Sequence, residues 1–205
     1  MLPISRQRIE RLLWGVLVAG IAIVCGAFAL ATFRPRLPVI SELKPFSLTN
    51  QLAEPVQLGS LRGSICVANV VFSRCPTQCR KLSSQMQRIQ AGIPGGVRLL
   101  SLTADPEYDT PQVLARYGSQ YEADPSKWWF LTGPKKDLYR LAIEDLKFTV
   151  IESGNPGGKL EDLFIHSPVF AILDRRGRVR AVVQGEAPNA EEDVLRIVKS
   201  LRFAP

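Results

Sequence analysis

The stretch "VVFSRCPTQCRKL", residues 70–82, changes period in its middle. It closes an apolar run, "ICVANVVF" (residues 65–72), whose β-branched residues are the pattern of a strand covered on both faces. It opens "TQCRKLSSQMQRIQ", where Cys79, Leu82, Met86 and Ile89 recur at spacings of three and four, the pattern of a helix. Proline cannot continue a strand's hydrogen-bond ladder and is favoured at the first helical position. The expected unit is a strand, a tight turn and a helix, with Cys75 as N-cap, Pro76 behind it and Cys79 one turn in. Residues four apart on a helix have Cβ atoms about 5–6 Å apart. Two sulfurs so placed can converge on one metal ion or, with local adjustment, form a disulfide. The helix N-terminus and Arg74 are expected to favour a thiolate at Cys75, the species that attacks disulfides and binds metals.

Outward from this unit, strands and helices alternate. "VRLLSLT" (residues 97–103) reads as the next buried strand. "DTPQVLARYGSQY" opens a helix, with Thr110 as N-cap and Pro111 at the first helical position. "KWWFLT" reads as a strand, "GPKKDLYRLAIEDL" as a helix and "KFTVI" as a strand, before a Gly- and Pro-rich loop, "ESGNPGGKLED". "PVFAILD" and "RVRAVVQG" form a hairpin across Asp174-Arg175-Arg176-Gly177. "NAEEDVLRIVKSL" closes the chain as an amphipathic helix with Asn189 as N-cap. The fold class is α/β, a sandwich around a mixed sheet.

The chain has 205 residues and a net charge of +7. Residues 1–45 hold six Lys/Arg against two Asp/Glu, and the remainder twenty against seventeen, so more than half of the excess lies outside the folded part. A nucleic-acid binder concentrates its charge in the folded domain, so no nucleic-acid partner is expected. Residues 12–32 carry no charge over 21 positions, about the thickness of a bilayer's hydrocarbon core as a helix. The organisation expected is an N-terminal tail (residues 1–11), a transmembrane anchor (12–32), a proline-rich linker (33–45) and a folded domain (46–205). A cleaved signal peptide is the rival, but the apolar run is longer than its usual core. The membrane is thus one expected partner.

Cys25 within the apolar helix and Cys66 within its strand read as inert side chains. The pair Cys75 and Cys79 does not, because the tip of a strand–turn–helix unit is an exposed, electropositive place. His166, in "DLFIHSPVF", is the chain's one histidine. Two thiolates and an imidazole would make a soft three-donor set suited to copper, with zinc as a rival.

"CPTQC", "LTADPEYDTPQVL" and "HSPVFAILDRRGRV", in this order behind one apolar segment, resemble the Sco/SenC proteins. The resemblance runs from Phe46 to Gly185. It implies a thioredoxin-like fold, in a peroxiredoxin-like variant, and copper, Cu(I) or Cu(II), bound by Cys75, Cys79 and His166. Asp105 matches a recurrent aspartate of the family. The resemblance also implies assembly of the copper centre of cytochrome c oxidase, with the oxidase's copper-site subunit as partner. The domain would lie on the periplasmic side of a membrane, or in an intermembrane space. Two alternatives stand beside this reading. One is a thiol–disulfide oxidoreductase, with Cys75 attacking and Cys79 resolving; the other is a copper or redox sensor. The chain departs from the family in the neutral Thr77 and Gln78, the basic rim of Arg74, Arg80 and Lys81, and the apolar Ile165 before the histidine.

Overall fold

The central strand of the molecule is the one that leads into the cysteine pair. In the computed structural model, which describes residues 6–32, 37–75, 77–152, 164–166 and 168–203, it runs over Ile65–Val71 and is buried at every position. The chain divides into two units, Met1–Arg36 and Leu37–Pro205. In the second unit β1 (Ser41–Glu42) is followed by a short antiparallel pair, β2 (Ser47–Thr49) and β3 (Pro55–Gln57), and by one turn of helix, α2 (Leu58–Leu61). Then come β4 (Ile65–Val71), α3 (Gln78–Gly92), β5 (Val97–Thr103), α4 (Pro111–Ser119), β6 (Trp128–Leu131) and α5 (Lys135–Tyr139). The chain continues through β7 (Val150–Glu152), β8 (Phe164–His166), β9 (Val169–Leu173), β10 (Arg178–Gln184) and α6 (Ala190–Arg202). The six-stranded sheet has the order β1-β10-β9-β4-β5-β6. β4, β5 and β6 are parallel, while β9 and β10 return antiparallel, so the sheet is mixed, as the alternating pattern predicts.

Local chemistry explains most boundaries. Thr110 accepts the Val113 N–H at 3.3 Å with Pro111 behind it, the predicted cap. α3 buries Cys79, Leu82, Met86 and Ile89 on one face, and full burial of each of the three larger apolar side chains contributes about 1.5–3 kcal/mol. The outer edge of β6 is covered by a side chain: Gln51 donates to the Trp128 carbonyl at 2.8 Å and accepts the Phe130 N–H at 2.9 Å. This amide takes the place of a seventh strand at an edge that would otherwise offer unpaired groups.

Several expectations need correction. α3 begins at Gln78 with Thr77 at the N-cap, and Thr77 makes no side-chain cap, so Cys75 is not the N-cap residue and stands two positions before it. Asn189 is the N-cap of α6, but its side chain does not cap. The helix expected over residues 133–146 turns α-helical at Lys135–Tyr139 and then widens to a π-helix over Arg140–Asp145. Asp145 closes the widened segment. Its carboxylate accepts the Lys44 N–H at 3.0 Å and Arg140 Nη1 at 2.9 Å, and its carbonyl accepts Ser41 Oγ at 2.5 Å. These same bonds tie down residues 41–44, in the stretch whose prolines suggest a linker. Arg180 adds to them through the carbonyls of Leu37 and Pro38. β7 is a strand as expected, but it pairs with β8 as a separate two-stranded hairpin, outside the main sheet.

The first unit holds α1 (Arg6–Thr32), one helix through the whole apolar segment. Its described side chains, Gln7 and residues 10–26, are exposed, with Glu10 and Arg11 just before the apolar run. Among the described residues no helix is long and apolar enough to cross a membrane, so the expected transmembrane span is present as a helix and not shown as a span.

Candidate metal centre

β4 delivers the chain to the site, and a turn closed by the Cys75 N–H on the Phe72 carbonyl, at 3.1 Å, reverses it toward α3. Cys75 Sγ then accepts the Cys79 N–H at 3.4 Å. One sulfur thus takes up an N–H from the first turn of the helix, a group that has no intrahelical partner. The Cys75 sulfur therefore lies against the backbone of the residue that carries the second thiol. The described cysteines are free thiols. Cys79 is fully buried and Cys75 retains 6% exposure, so Cys75 is the sulfur nearer solvent. The hydrogen bond to Cys75 pushes the Cys79 thiol up, and burial and the charge of Cys75 push it the same way. A hydrogen bond with the Phe72 backbone pulls against them, without prevailing. Cys79 is therefore the proton-holding member of the pair.

Arg74 does not serve as expected. Its guanidinium is committed to Asp105, through Nε at 3.2 Å and Nη2 at 2.5 Å, and lies 4.3 Å over the ring of Tyr108. The Asp105 carboxylate is nearly buried, so the pair neutralises most of the charge that Arg74 was expected to lend Cys75. Asp105 therefore acts at the rim, holding Arg74, while its own N–H rests on Thr103 Oγ1 at 2.9 Å.

The residue that sequence reasoning passed over is Asp109, four positions further along the same motif. It is fully buried. Its carboxylate accepts the Ser73 N–H at 3.1 Å, Thr103 Oγ1 at 2.5 Å and the Ser73 hydroxyl. It thereby fastens the cysteine turn to the end of β5. Burial holds the Asp109 carboxyl above the ordinary range, and the neighbouring Asp105 adds to this, against the three hydrogen bonds that favour its charge. A carboxylate directly before a Thr-Pro helix start was the available signal. On the other side of the pair, the Tyr117 hydroxyl lies 2.8 Å from Ser83 Oγ and 3.5 Å from the Cys79 carbonyl, joining α4 to the first turns of α3. Burial pushes the Tyr117 hydroxyl far above its ordinary pKa, so it stays a neutral hydrogen-bond donor.

His166 ends β8, paired in register with Val150. The Gly- and Pro-rich loop before it, residues 153–163, and the Ser167–Pro168 bond, a candidate cis peptide by its place before a central strand, lie outside the described residues, as does Pro76. Just beyond His166 the chain is pinned. The Pro168 carbonyl accepts the Gly185 N–H at 2.6 Å, and the Gly185 carbonyl accepts Gln85 Nε2 of α3 at 2.8 Å. A Cβ at Gly185 would stand 2.5 Å from Leu82 Cδ2 and 2.8 Å from the Pro168 carbonyl oxygen. Pro168 and the second turn of the cysteine helix are thus nearly in contact through a glycine. Among the described residues no group of three His, Cys, Asp or Glu side chains could hold a metal ion. Two of the three expected ligands come together; the side chain of His166 lies outside the described residues.

The comparisons agree with this layout. A family model for SCO1/SenC matches residues 38–202. The SCO1 protein homolog of Bacillus subtilis is 30% identical over 167 residues, covering 80% of this chain and 84% of that relative. Among solved structures, BsSco is described as a member of the Sco family of cytochrome c oxidase assembly proteins with a disulfide switch. It superposes with a TM-score of 0.69 at 29% identity, over 82% of this chain and 97% of that one. ScoI of Bradyrhizobium japonicum, solved with copper bound, superposes with a TM-score of 0.65 over 77% of this chain and 98% of that one; at 21% identity this likeness speaks for the thioredoxin-like fold alone. With the matched model spanning the folded unit and the cysteine turn at its centre, the chain belongs to the SCO1/SenC family.

Proposed function

We propose that this protein is a membrane-anchored copper carrier that holds Cu(I) between Cys75, Cys79 and His166 for assembly of the copper centre of cytochrome c oxidase. The observation that carries the reading is the convergence of two thiols at the start of α3, one accepting the N–H of the other. Thiolate sulfur is the donor that selects Cu(I), and an imidazole completes a soft set of three. The pinning of Pro168 beside Leu82 supports His166 as the third donor, because two residues of chain reach about 7 Å at most. Ligand exchange would begin at Cys75, the more exposed sulfur. Asp109 and Asp105 would hold the turn in place while the ion is passed on. The uncharged residues 12–32, helical throughout, support an anchor, with the folded unit on the periplasmic side.

A second reading is favoured by the same two sulfurs. Two thiols so close that one sulfur accepts the other residue's N–H can close to a disulfide while reducing one on a partner, with Cys75 attacking and Cys79 resolving. Anaerobic Cu(I) titration against a competing chelator separates the two. Under the carrier reading, the reduced chain takes up one Cu(I). Cys75→Ser and Cys79→Ser abolish that uptake, and His166→Ala weakens it at least tenfold, about 1.4 kcal/mol, while leaving disulfide formation intact. Unchanged affinity in His166→Ala would remove the third ligand and move the weight to the dithiol reductant.

A further inference from the structure

We propose that the mouth of the cysteine site docks an acidic protein segment, and that Arg80 and Lys81 receive it; this rests on the reading of Cys75 and Cys79 as the working pair. Arg80 and Lys81 follow Cys79 directly and are exposed on the first turn of α3. A helix disfavours cations there. Positive charge beside an N-terminus opposes the macrodipole, and acidic residues are the ones that stabilise a first turn. α3 carries no Asp or Glu, so neither cation has an acid one turn away on its own helix. Among the described residues no ion pair reaches either side chain.

The neighbouring cations differ. Arg74 is held by Asp105 and the ring of Tyr108, and Arg88, further along α3, is held by Glu191 at 2.6 Å. Of the acids at the rim, Asp105 is paired with Arg74, and Glu107 lies 3.9 Å from Lys135. The charge left over at the first turn is that of Arg80 and Lys81. A local rule broken at the mouth of a site, with no compensating contact among the described residues, points to a contact outside the chain. The chemistry of the site requires one. The sulfurs are buried, so a partner's ligands must be brought in and held in one orientation. Complementary charge does this by steering encounter and fixing register. The partner is a protein segment that presents thiol ligands flanked by Asp or Glu.

Disulfide exchange with synthetic peptides tests this on the reduced full-length chain in neutral detergent. Two peptides, each with one internal disulfide, carry aspartates or lysines on their flanks; bis(2-hydroxyethyl) disulfide is the neutral control. In each exchange one protein thiolate attacks the disulfide, and the second protein thiol closes the Cys75–Cys79 bond. The substrate leaves as two thiols, having gained two electrons and two protons. At low salt the aspartate peptide reacts about tenfold faster than the lysine peptide, and about 0.5 M salt erases most of the difference. Arg80→Glu with Lys81→Glu inverts the preference and leaves the neutral disulfide's rate within about twofold. Glutamates suit a helix's first turn, so the double variant folds. Absence of a preference in the unmodified protein overturns the proposal. So does a double variant that changes all three rates alike, because the cations then tune the sulfurs rather than receive a partner. If the neutral disulfide fails to react with the unmodified protein, the reading of the cysteine pair falls first, and the docking surface with it.

Discussion

Replacing Asp109 with alanine should loosen the cysteine turn more than any other single change outside the cysteines. The carboxylate is fully buried and accepts from the Ser73 N–H, the Ser73 hydroxyl and the Thr103 hydroxyl. Truncation strands three donors, each at about 1–3 kcal/mol when buried without a partner. Removing a buried charge returns part of that, since burial already disfavours the ionised form. The net loss expected is about 3–5 kcal/mol, a large share of the ~5–15 kcal/mol that holds a domain together. At about 2–4 °C per kcal/mol for a domain of this size, Tm should fall by about 6–20 °C. Scanning calorimetry on the full-length chain measures this. Alkylation of Cys79, buried in the intact protein, should accelerate in parallel, because Ser73 lies two residues before Cys75 and loses its tether to β5. A Tm within about 2 °C of the parent, with unchanged alkylation, would refute the role given to this carboxylate.

Asp109→Asn isolates the charge. The raised pKa means the folded state favours the protonated carboxyl, so this group's stabilisation is complete below the ordinary value of about 3.9 and is lost as pH rises through the folded value. Urea unfolding from about pH 4 to 7 should show that decline in the parent and not in the variant; parallel profiles would remove the linkage. Gly185→Ala places a methyl 2.5 Å from Leu82 Cδ2 and 2.8 Å from the Pro168 carbonyl. Because the second contact is backbone, it should destabilise by about 1–3 kcal/mol in equilibrium unfolding and weaken Cu(I) binding by shifting the segment after His166; unchanged stability would show that the contact relaxes freely.

What the sequence made legible is what local periodicity and capping determine. The strand–turn–helix at residues 65–92 and the Thr110-Pro111 start follow from patterns a few residues long. So does the hairpin across Asp174–Gly177, where Asp174 Oδ1 accepts the Arg176 and Arg178 N–H groups. The cysteine pair was visible for the same reason, Cys79 lying in the first turn of α3 and Cys75 in the tight turn that leads into it. What was not legible depends on partners far along the chain. Ser73 meets Asp109 across 36 positions, and Arg74 meets Asp105 across 31, which cancels most of the effect expected of Arg74. The early start of the folded unit comes from the grip of Asp145, at the end of the π-helix, on residues 41–44, about a hundred positions away. β7 carries a strand's composition whether it joins the main sheet or pairs with β8, and composition does not choose between them.

The central claim is that two sulfurs and one imidazole of this chain share a copper ion. X-ray absorption at the copper edge of the Cu(I)-loaded full-length protein, with His166→Ala beside it, tests it most directly. The account predicts two sulfur scatterers and one nitrogen in the parent, and two sulfurs without that nitrogen in the variant. A spectrum with sulfur alone, or with a nitrogen that survives in His166→Ala, would contradict it.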